Sequence, residues 1–362
     1  MADFFVYEFV SSQWRHLSSS SLEPSWVFIF FLISGLKRQI SFIFADEKNP
    51  KVMAKRRIRW GIVGVMILLL AALAWCMRPP QNKIPTVSGG TLERYPQFES
   101  QFIPARDVAV WLPTGYQMGD SCDVLYMHDG QMLFDPTTTW NRKEWQVDEV
   151  MDSLIQAGLI RPCIVVAIWN TDDRLNEYSP DKSWQCIAEE QLKNVDAPHL
   201  KGDAYLKFIV KELKPFIDEH YKPLTSREHT FMMGSSMGGL ISLYALCEYP
   251  QVFGGVACLS SHLSMKNLCK GLDDKAWPTG YREYVAKHLP QANSSLIYMD
   301  HGTRGFDADY GTYQQQLDSC IVSHGWDDRH YRSLVFDGHD HSETSWAERL
   351  DQPLKFLLGK GN

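Results

Sequence analysis

Short apolar runs alternate with longer amphipathic runs from about residue 91 to the carboxyl end of the chain. Residues 163–169 form a continuous apolar run, which is typical of a strand buried on both faces of a parallel sheet. Residues 205–221 instead place their apolar side chains on one face of a helix. Further strands are predicted over 107–112, 124–127, 230–233, 256–259, 296–299 and 333–336, and further helices over 145–159, 237–249, 314–322 and 346–358. This alternation predicts an α/β fold with a mostly parallel central sheet flanked by helices.

A different pattern precedes this region. Residues 60–77 carry no charge and directly follow the basic cluster of residues 55–59. As a helix this run is about 27 Å long, enough to cross a hydrocarbon core. Positive charge before an apolar helix keeps that side in the cytoplasm, so residues 53–78 are predicted to be a signal-anchor with the following domain outside the cytoplasm. Residues 1–52 are expected to have no fold of their own, with Met53 as the physiological start.

Residues 79–90 are predicted to be a polar linker, and residues 91–362 a single domain without repeats. The composition of this domain argues against two kinds of partner, nucleic acids and metal ions. The formal net charge of -7, with no Lys/Arg stripe in that domain, argues against nucleic acid. The eight cysteines show neither a Cys-x-x-Cys pair nor a Cys/His spacing, so no metal is expected.

The sequence Gly234-Ser235-Ser236-Met237-Gly238 lies between an apolar run that predicts a strand and one that predicts a helix. This strand–turn–helix context is that of the nucleophile elbow of the α/β-hydrolase fold, in which glycines let strand and helix approach closely. Ser236 is therefore the predicted nucleophile, at the start of a helix whose backbone N–H groups can stabilise an oxyanion. The alternative interpretation is a glycine-rich turn with an idle serine.

A serine hydroxyl becomes nucleophilic when a histidine takes its proton, and that histidine needs a carboxylate behind it. In this fold the acid and then the histidine follow the serine along the chain. His339 and His341 follow the last predicted strand, where the base is expected. The loop after the preceding strand offers three acids among which composition does not choose: Asp300, Asp307 and Asp309.

Three segments of the chain resemble the esterase family of α/β-hydrolases that includes esterase D, feruloyl esterases and enterochelin esterases. They read LYMHDGQ over 125–131, GSSMGG over 234–239 and GHDHSETSW over 338–346. Residues 98–116 and 170–180 are similar too, so the resemblance spans roughly residues 91–358. The ordered set of segments is more specific than any one of them.

This resemblance implies a base and an acid. The family's His-x-Glu-x-x-x-Trp-type ending places the base at His341, with Trp346 behind it, and leaves His339 as the alternative. The family's acid follows a Gly-Thr pair, here residues 302–303, which points to Asp307. Some relatives carry the acid two residues after that pair, where this chain has Gly305.

The resemblance also implies an oxyanion hole. The loop that begins with Asp129 supplies one donor, the backbone N–H of Gln131, and the elbow supplies the other, the N–H of Met237. Asp129 and Trp346 are then expected near the substrate. A plain turn at Asp129-Gly130 is the alternative.

Together these residues predict acyl transfer to Ser236 and hydrolysis of the acyl-enzyme by water, without a metal or organic cofactor. The resemblance and the predicted export favour a carbohydrate-linked ester, feruloyl or acetyl, with a siderophore ester as the second choice. An acyltransferase similar to the mycolyltransferases would use the same triad with a sugar hydroxyl in place of water. A non-catalytic binding protein would typically have lost the serine, the histidine or an elbow glycine, and all are present.

Overall fold

The chain is described here from a computed structural model that covers residues 84–193, 195, 199–264, 272–273 and 275–360. The predicted extension over 1–52 and the predicted anchor over 53–78 lie outside these residues. Within the described ranges, no helix combines the length and the apolar character needed to cross a bilayer.

Eight strands form one sheet, and helices pack on it. The strands are β1 Thr91–Phe98, β2 Arg106–Leu112, β3 Asp123–His128, β4 Cys163–Ile168, β5 Thr230–Ser235, β6 Gly255–Leu259, β7 Leu296–Gly302 and β8 Tyr331–Phe336. The helices are α1 Val147–Gln156, α2 Arg174–Glu177, α3 Glu189–Leu192, α4 Gly202–Phe208, α5 Lys214–Tyr221, α6 Met237–Glu248, α7 Ala276–His288, α8 Gly311–Ser323, α9 Glu343–Ala347 and α10 Asp351–Leu358. A π-helical turn, Ile209–Leu213, joins α4 to α5, and short 3₁₀ turns occupy Gly130–Met132, Asp181–Cys186, Arg227–His229 and Gly305–Asp309.

The strand order is β1-β2-β4-β3-β5-β6-β7-β8. Strands β3 to β8 run parallel, while β2 is antiparallel to both β1 and β4. The predicted α/β-hydrolase fold is confirmed. Because β3, β5, β6, β7 and β8 end at the same edge of the sheet, the loops that follow them meet there, where such folds place their chemistry.

Two hydrophobic clusters cover the two faces of the sheet. The sheet's central strand β5 is buried throughout, and so is α6 from Met237 to Cys247. A helix that is apolar on every side must be surrounded by protein. The turn between β5 and α6 is therefore held between two rigid, buried elements, which fixes the position of Ser236.

The structure differs from the predicted elements in several places. The predicted helix over 346–358 is two helices, α9 and α10, because Pro353 has no N–H to continue a helical ladder and is tolerated only in a first turn. Strand β1 and helix α7 were not predicted. In β1, Pro96 and the bulge at Gln97 (φ 51°) obscure the pattern, and both are acceptable because β1 is an edge strand.

Candidate active site

Ser236 lies in a sharp turn between β5 and α6, with φ 57° and ψ −121°. This is a sparsely populated conformation for a residue with a side chain. Close packing around the turn requires glycine: a Cβ on Gly234 would lie 2.8 Å from the His128 ring, and one on Gly239 would lie 2.4 Å from Ser261 Oγ. Ser236 is half-buried, whereas the preceding Ser235 is buried. The geometry is that of a nucleophile elbow.

His341 and Asp307 are in contact. His341 Nδ1 lies 2.6 Å from Asp307 Oδ1, and the carboxylate is buried. Its other oxygen accepts hydrogen bonds from the Gly302 N–H at 2.7 Å and the Ser260 hydroxyl at 2.5 Å. Burial by itself raises the pKa of Asp307, but the hydrogen bonds from His341 and Ser260 outweigh it and hold the pKa below its usual range. An ionised Asp307 fixes the His341 tautomer that leaves Nε2 free to accept a proton.

The other candidates for base and acid have different surroundings. His339 Nδ1 lies 3.3 Å from the Ser345 carbonyl oxygen, on the side of the loop towards Glu348. Asp300 lies within β7, where its carboxylate accepts hydrogen bonds from the buried Arg349. Asp309 is exposed. Among the described candidates, the pair that meets is His341 with Asp307.

The loop after β3 lies beside the elbow. A Cβ on Gly238 would come within 3.3 Å of His128 Cβ, and β3 pairs directly with β5. Within the described residues, neither the Gln131 N–H nor the Met237 N–H donates to a protein acceptor. Two such donors at converging loops can stabilise an oxyanion that forms at Ser236.

Asp129 supports this loop. It adopts φ 57°, and both carboxylate oxygens accept hydrogen bonds from Arg174, at 2.6 and 2.8 Å. Asn170 donates a further bond at 2.6 Å. Burial by itself raises the pKa of Asp129, but Arg174 more than offsets this, so the pKa lies below its usual range. These contacts tie Asp129 to Arg174 and Asn170, beside the elbow, where a Cβ on Gly238 would lie 3.7 Å from Asp129 Oδ2. Its contact with a substrate stays a prediction.

Trp346 packs against His341, the candidate base. Its ring meets the His341 ring edge to face, with centroids 5.1 Å apart, and its Nε1–H donates to Ser260 Oγ at 3.0 Å. The side chain is almost fully buried. Its contacts orient His341 and Ser260, and they leave little surface for a substrate.

Sequence reasoning missed Ser260. This residue follows β6 with φ 43°, and its hydroxyl donates to Asp307 while accepting from Trp346 and from Arg349 Nη2 at 2.9 Å. The signal available was its place directly after a parallel strand, at the edge where the other site residues meet.

His262 is a further histidine next to the elbow, and the sequence did not single it out. Its backbone N–H donates to the Ser236 carbonyl at 3.1 Å, and its Nδ1 lies 2.6 Å from the Tyr310 hydroxyl. Burial, together with the nearby His341 and Arg174, lowers the pKa of His262 to about 4, so its ring is neutral at pH 7. Tyr310 also meets the His341 ring, at 5.7 Å between centroids. In the described part of the chain, no three His, Cys, Asp or Glu side chains converge as metal ligands would.

Comparisons with known proteins bear on the family and the fold. A family model described as "Putative esterase" matches residues 103–357. The Bacillus subtilis protein YjcH is 23% identical over 273 residues, which cover 74% of this chain and 98% of YjcH. A solved ferulic acid esterase superposes with a TM-score of 0.56 at 21% identity, covering 75% of this chain and 99% of that one. The enterobactin esterase FES from Shigella flexneri superposes with a TM-score of 0.54 at 18% identity, covering 77% and 63%.

Proposed function

Since the chain belongs to this esterase family and is a carboxylic-ester hydrolase of the serine type, we propose that it works through a triad of Ser236, His341 and Asp307. The observation that carries the proposal is the 2.6 Å contact between His341 and the buried Asp307, in a fold that presents Ser236 on an elbow. The Ser236 side chain makes no capping hydrogen bond to α6, and catalytic hydrogen bonds are often long before substrate binds.

The proposed reaction has two halves. His341 Nε2 takes the proton of Ser236 as the oxygen attacks the ester carbonyl, and the developing oxyanion is stabilised by the backbone N–H groups of Gln131 and Met237. His341 then gives the proton to the leaving alcohol. Water, activated by the same histidine, hydrolyses the acyl-enzyme. Asp307 remains ionised and stabilises the imidazolium in both halves.

The proposed substrates are carbohydrate-linked esters, with a feruloyl or acetyl group on a sugar hydroxyl. One support is the structural similarity to ferulic acid esterases. A second is an endo-1,4-β-xylanase/feruloyl esterase of Xylanibacter ruminicola, which is 26% identical over 197 residues. These residues cover 24% of that protein. A siderophore ester is the second candidate. It is supported by the similarity to a siderophore enterobactin esterase of Emericella nidulans. That protein is 28% identical to this chain over 153 residues, which are about half of the relative's length.

We further propose that the esterase domain works outside the cytoplasm, held there by residues 53–78. The support is the uncharged run over 60–77 behind a basic cluster.

A fluorophosphonate probe tests the triad, because it reacts with an activated serine. Wild-type protein should be labelled, Ser236→Ala should not, and Ser235→Ala, the matched neighbour, should be labelled at the wild-type level. Labelling that depends on Ser235, or that is absent from the folded wild-type protein, would remove the basis of the proposed function. Product analysis with a sugar acceptor then separates hydrolysis from acyl transfer.

A further inference from the structure

His262 has no part in the two-step reaction proposed above, although it lies next to the nucleophile. Its backbone N–H donates to the Ser236 carbonyl oxygen at 3.1 Å. Its side chain is only partly buried, in contrast to the fully buried Ser260 and Ser261 that precede it. An imidazole that is open to solvent beside the nucleophile can meet a substrate or a water molecule.

Tyr310 lies against both His262 and the base. Its hydroxyl is 2.6 Å from His262 Nδ1, and its ring meets the His341 ring with centroids 5.7 Å apart. The two imidazoles are therefore close neighbours. The electrostatics agree with this, because burial is the main cause that lowers the pKa of His262 and the charge of His341 lowers it further.

The strand order decides which part of an ester lies beside His262. Gln131, an oxyanion donor, follows β3 on one side of β5, whereas His262 follows β6 on the other side. His341 follows β8, which lies on the same side of β5 as β6. The ester carbonyl oxygen therefore points towards β3. The leaving alcohol, and later the attacking water, lie on the side of His341 and His262, because His341 exchanges a proton with both.

Water differs from an alcohol in having a second hydrogen. When water attacks the acyl-enzyme, its oxygen bonds to the acyl carbon and one proton passes to His341 Nε2, while the other hydrogen stays on the oxygen. A neutral imidazole that donates its Nδ1–H to the Tyr310 hydroxyl keeps Nε2 as an acceptor for that hydrogen. An alcohol carries carbon at this position and cannot make the bond.

We propose that His262 Nε2 accepts the second hydrogen of the hydrolytic water and thereby favours hydrolysis of the acyl-enzyme over acyl transfer to an alcohol. This inference rests on the proposed acyl-enzyme at Ser236. As the bond between the acyl carbon and Ser236 Oγ breaks, His341 returns its proton to that oxygen, and the second hydrogen leaves on the acid product. His262 neither gains nor loses a proton, and Tyr310 is a positioning residue that orients it.

The fate of the acyl-enzyme tests the proposal. With a p-nitrophenyl ester as acyl donor and methanol as added acceptor, the ratio of methyl ester to free acid is set only after the acyl-enzyme has formed. Loss of one hydrogen bond to the water should raise this ratio about two- to tenfold in His262→Leu. His262→Gln, whose amide oxygen can accept the same hydrogen, should stay closer to the wild type. Tyr310→Phe should lie between them, because it removes only the group that orients the ring.

His339→Leu is the matched control, since the His339 ring lies on the side of its loop towards Glu348, and it should keep the wild-type ratio. Fluorophosphonate labelling of each full-length variant shows that its active site is intact. An unchanged ratio in labelled His262→Leu or Tyr310→Phe, an equal rise in His339→Leu, or a rise in His262→Gln as large as in His262→Leu would overturn the water contact. A wild-type protein that is not labelled and releases no p-nitrophenol would count instead against the proposed triad, so the two failures are distinct.

Discussion

Ser260 is expected to be a positioning residue for the acid. Its hydroxyl donates to Asp307 at 2.5 Å, and Ser260→Ala removes that donor. A hydrogen bond to a charged group contributes about 1.5–3 kcal/mol. Asp307 uses that bond when it stabilises the imidazolium, so its loss raises the barrier by a similar energy. Since 1.36 kcal/mol corresponds to a factor of ten in rate, kcat/KM should fall about ten- to a hundredfold. Arg349 and Trp346 would also lose their shared acceptor, so the variant should be less stable.

The neighbouring Ser261 is a matched control. Its hydroxyl is buried and has no hydrogen-bond partner among the described residues, so Ser261→Ala removes the same atom without removing a bond. Both variants should be assayed for hydrolysis of a p-nitrophenyl ester across pH, with thermal unfolding followed in parallel. Wild-type kcat/KM in a folded Ser260→Ala protein, or an equal loss in Ser261→Ala, would refute the reasoning.

The pH dependence of stability gives a readout specific to Asp307. The folded-state pKa of Asp307 is depressed, so the carboxylate contributes stability that is present above its unfolded pKa of about 3.9 and is lost as pH falls through the folded value. Ser260→Ala weakens that contribution. Wild type and Ser260→Ala should therefore differ in Tm, and the part of this difference that arises from Asp307 should be fully present at pH 7 and shrink below about pH 4.

The remaining predictions concern the base, the acid and the location. His341→Ala should lower kcat about 10⁴-fold or more, whereas His339→Ala should change it little; the reverse order would reassign the base. Asp307→Asn should lower kcat about a hundredfold or more, yet less than His341→Ala, because Asp307 only orients and stabilises the imidazole; wild-type kcat in a folded Asp307→Asn would remove it from the triad. Alkaline phosphatase fused after Asn82 should be active in a bacterial host; an inactive phosphatase together with an active cytoplasmic reporter at the same position would contradict export.

Much of the parallel sheet and the elbow could be predicted from sequence because both depend on short-range patterns. The run over 163–169 became β4, Cys163–Ile168, and the residues around Ser236 form the expected strand–turn–helix. Helix α7 was missed although Trp277, Tyr281 and Tyr284 lie on one buried face. Pro278 and Gly280 near its start are unfavourable in a helix, and packing against the Asp181–Cys186 turn and α8 overrides such local preferences.

The supports of the site could not be predicted in the same way, because they come from residues far apart in the chain. Ser260, Asp307 and Trp346 meet through hydrogen bonds that span 47 and 86 positions. No local pattern marks such contacts. The sequence places Ser260 and Asp307 after strands that end at one edge of the sheet, and tertiary packing determines which side chains touch there.

Asp300 shows why three acids after one strand are not equivalent. It is still paired within β7, opposite Leu334 of β8, so the pleat directs its side chain into a face of the sheet rather than past its edge. There it is buried against Arg349, and burial raises its pKa even though the guanidinium opposes the shift. Arg349 in turn holds Ser260, which holds Asp307. Asp300, the first of the three acids along the chain, is therefore linked to Asp307 only through Arg349 and Ser260. Asp307 lies beyond the end of β7, and there its carboxylate contacts His341.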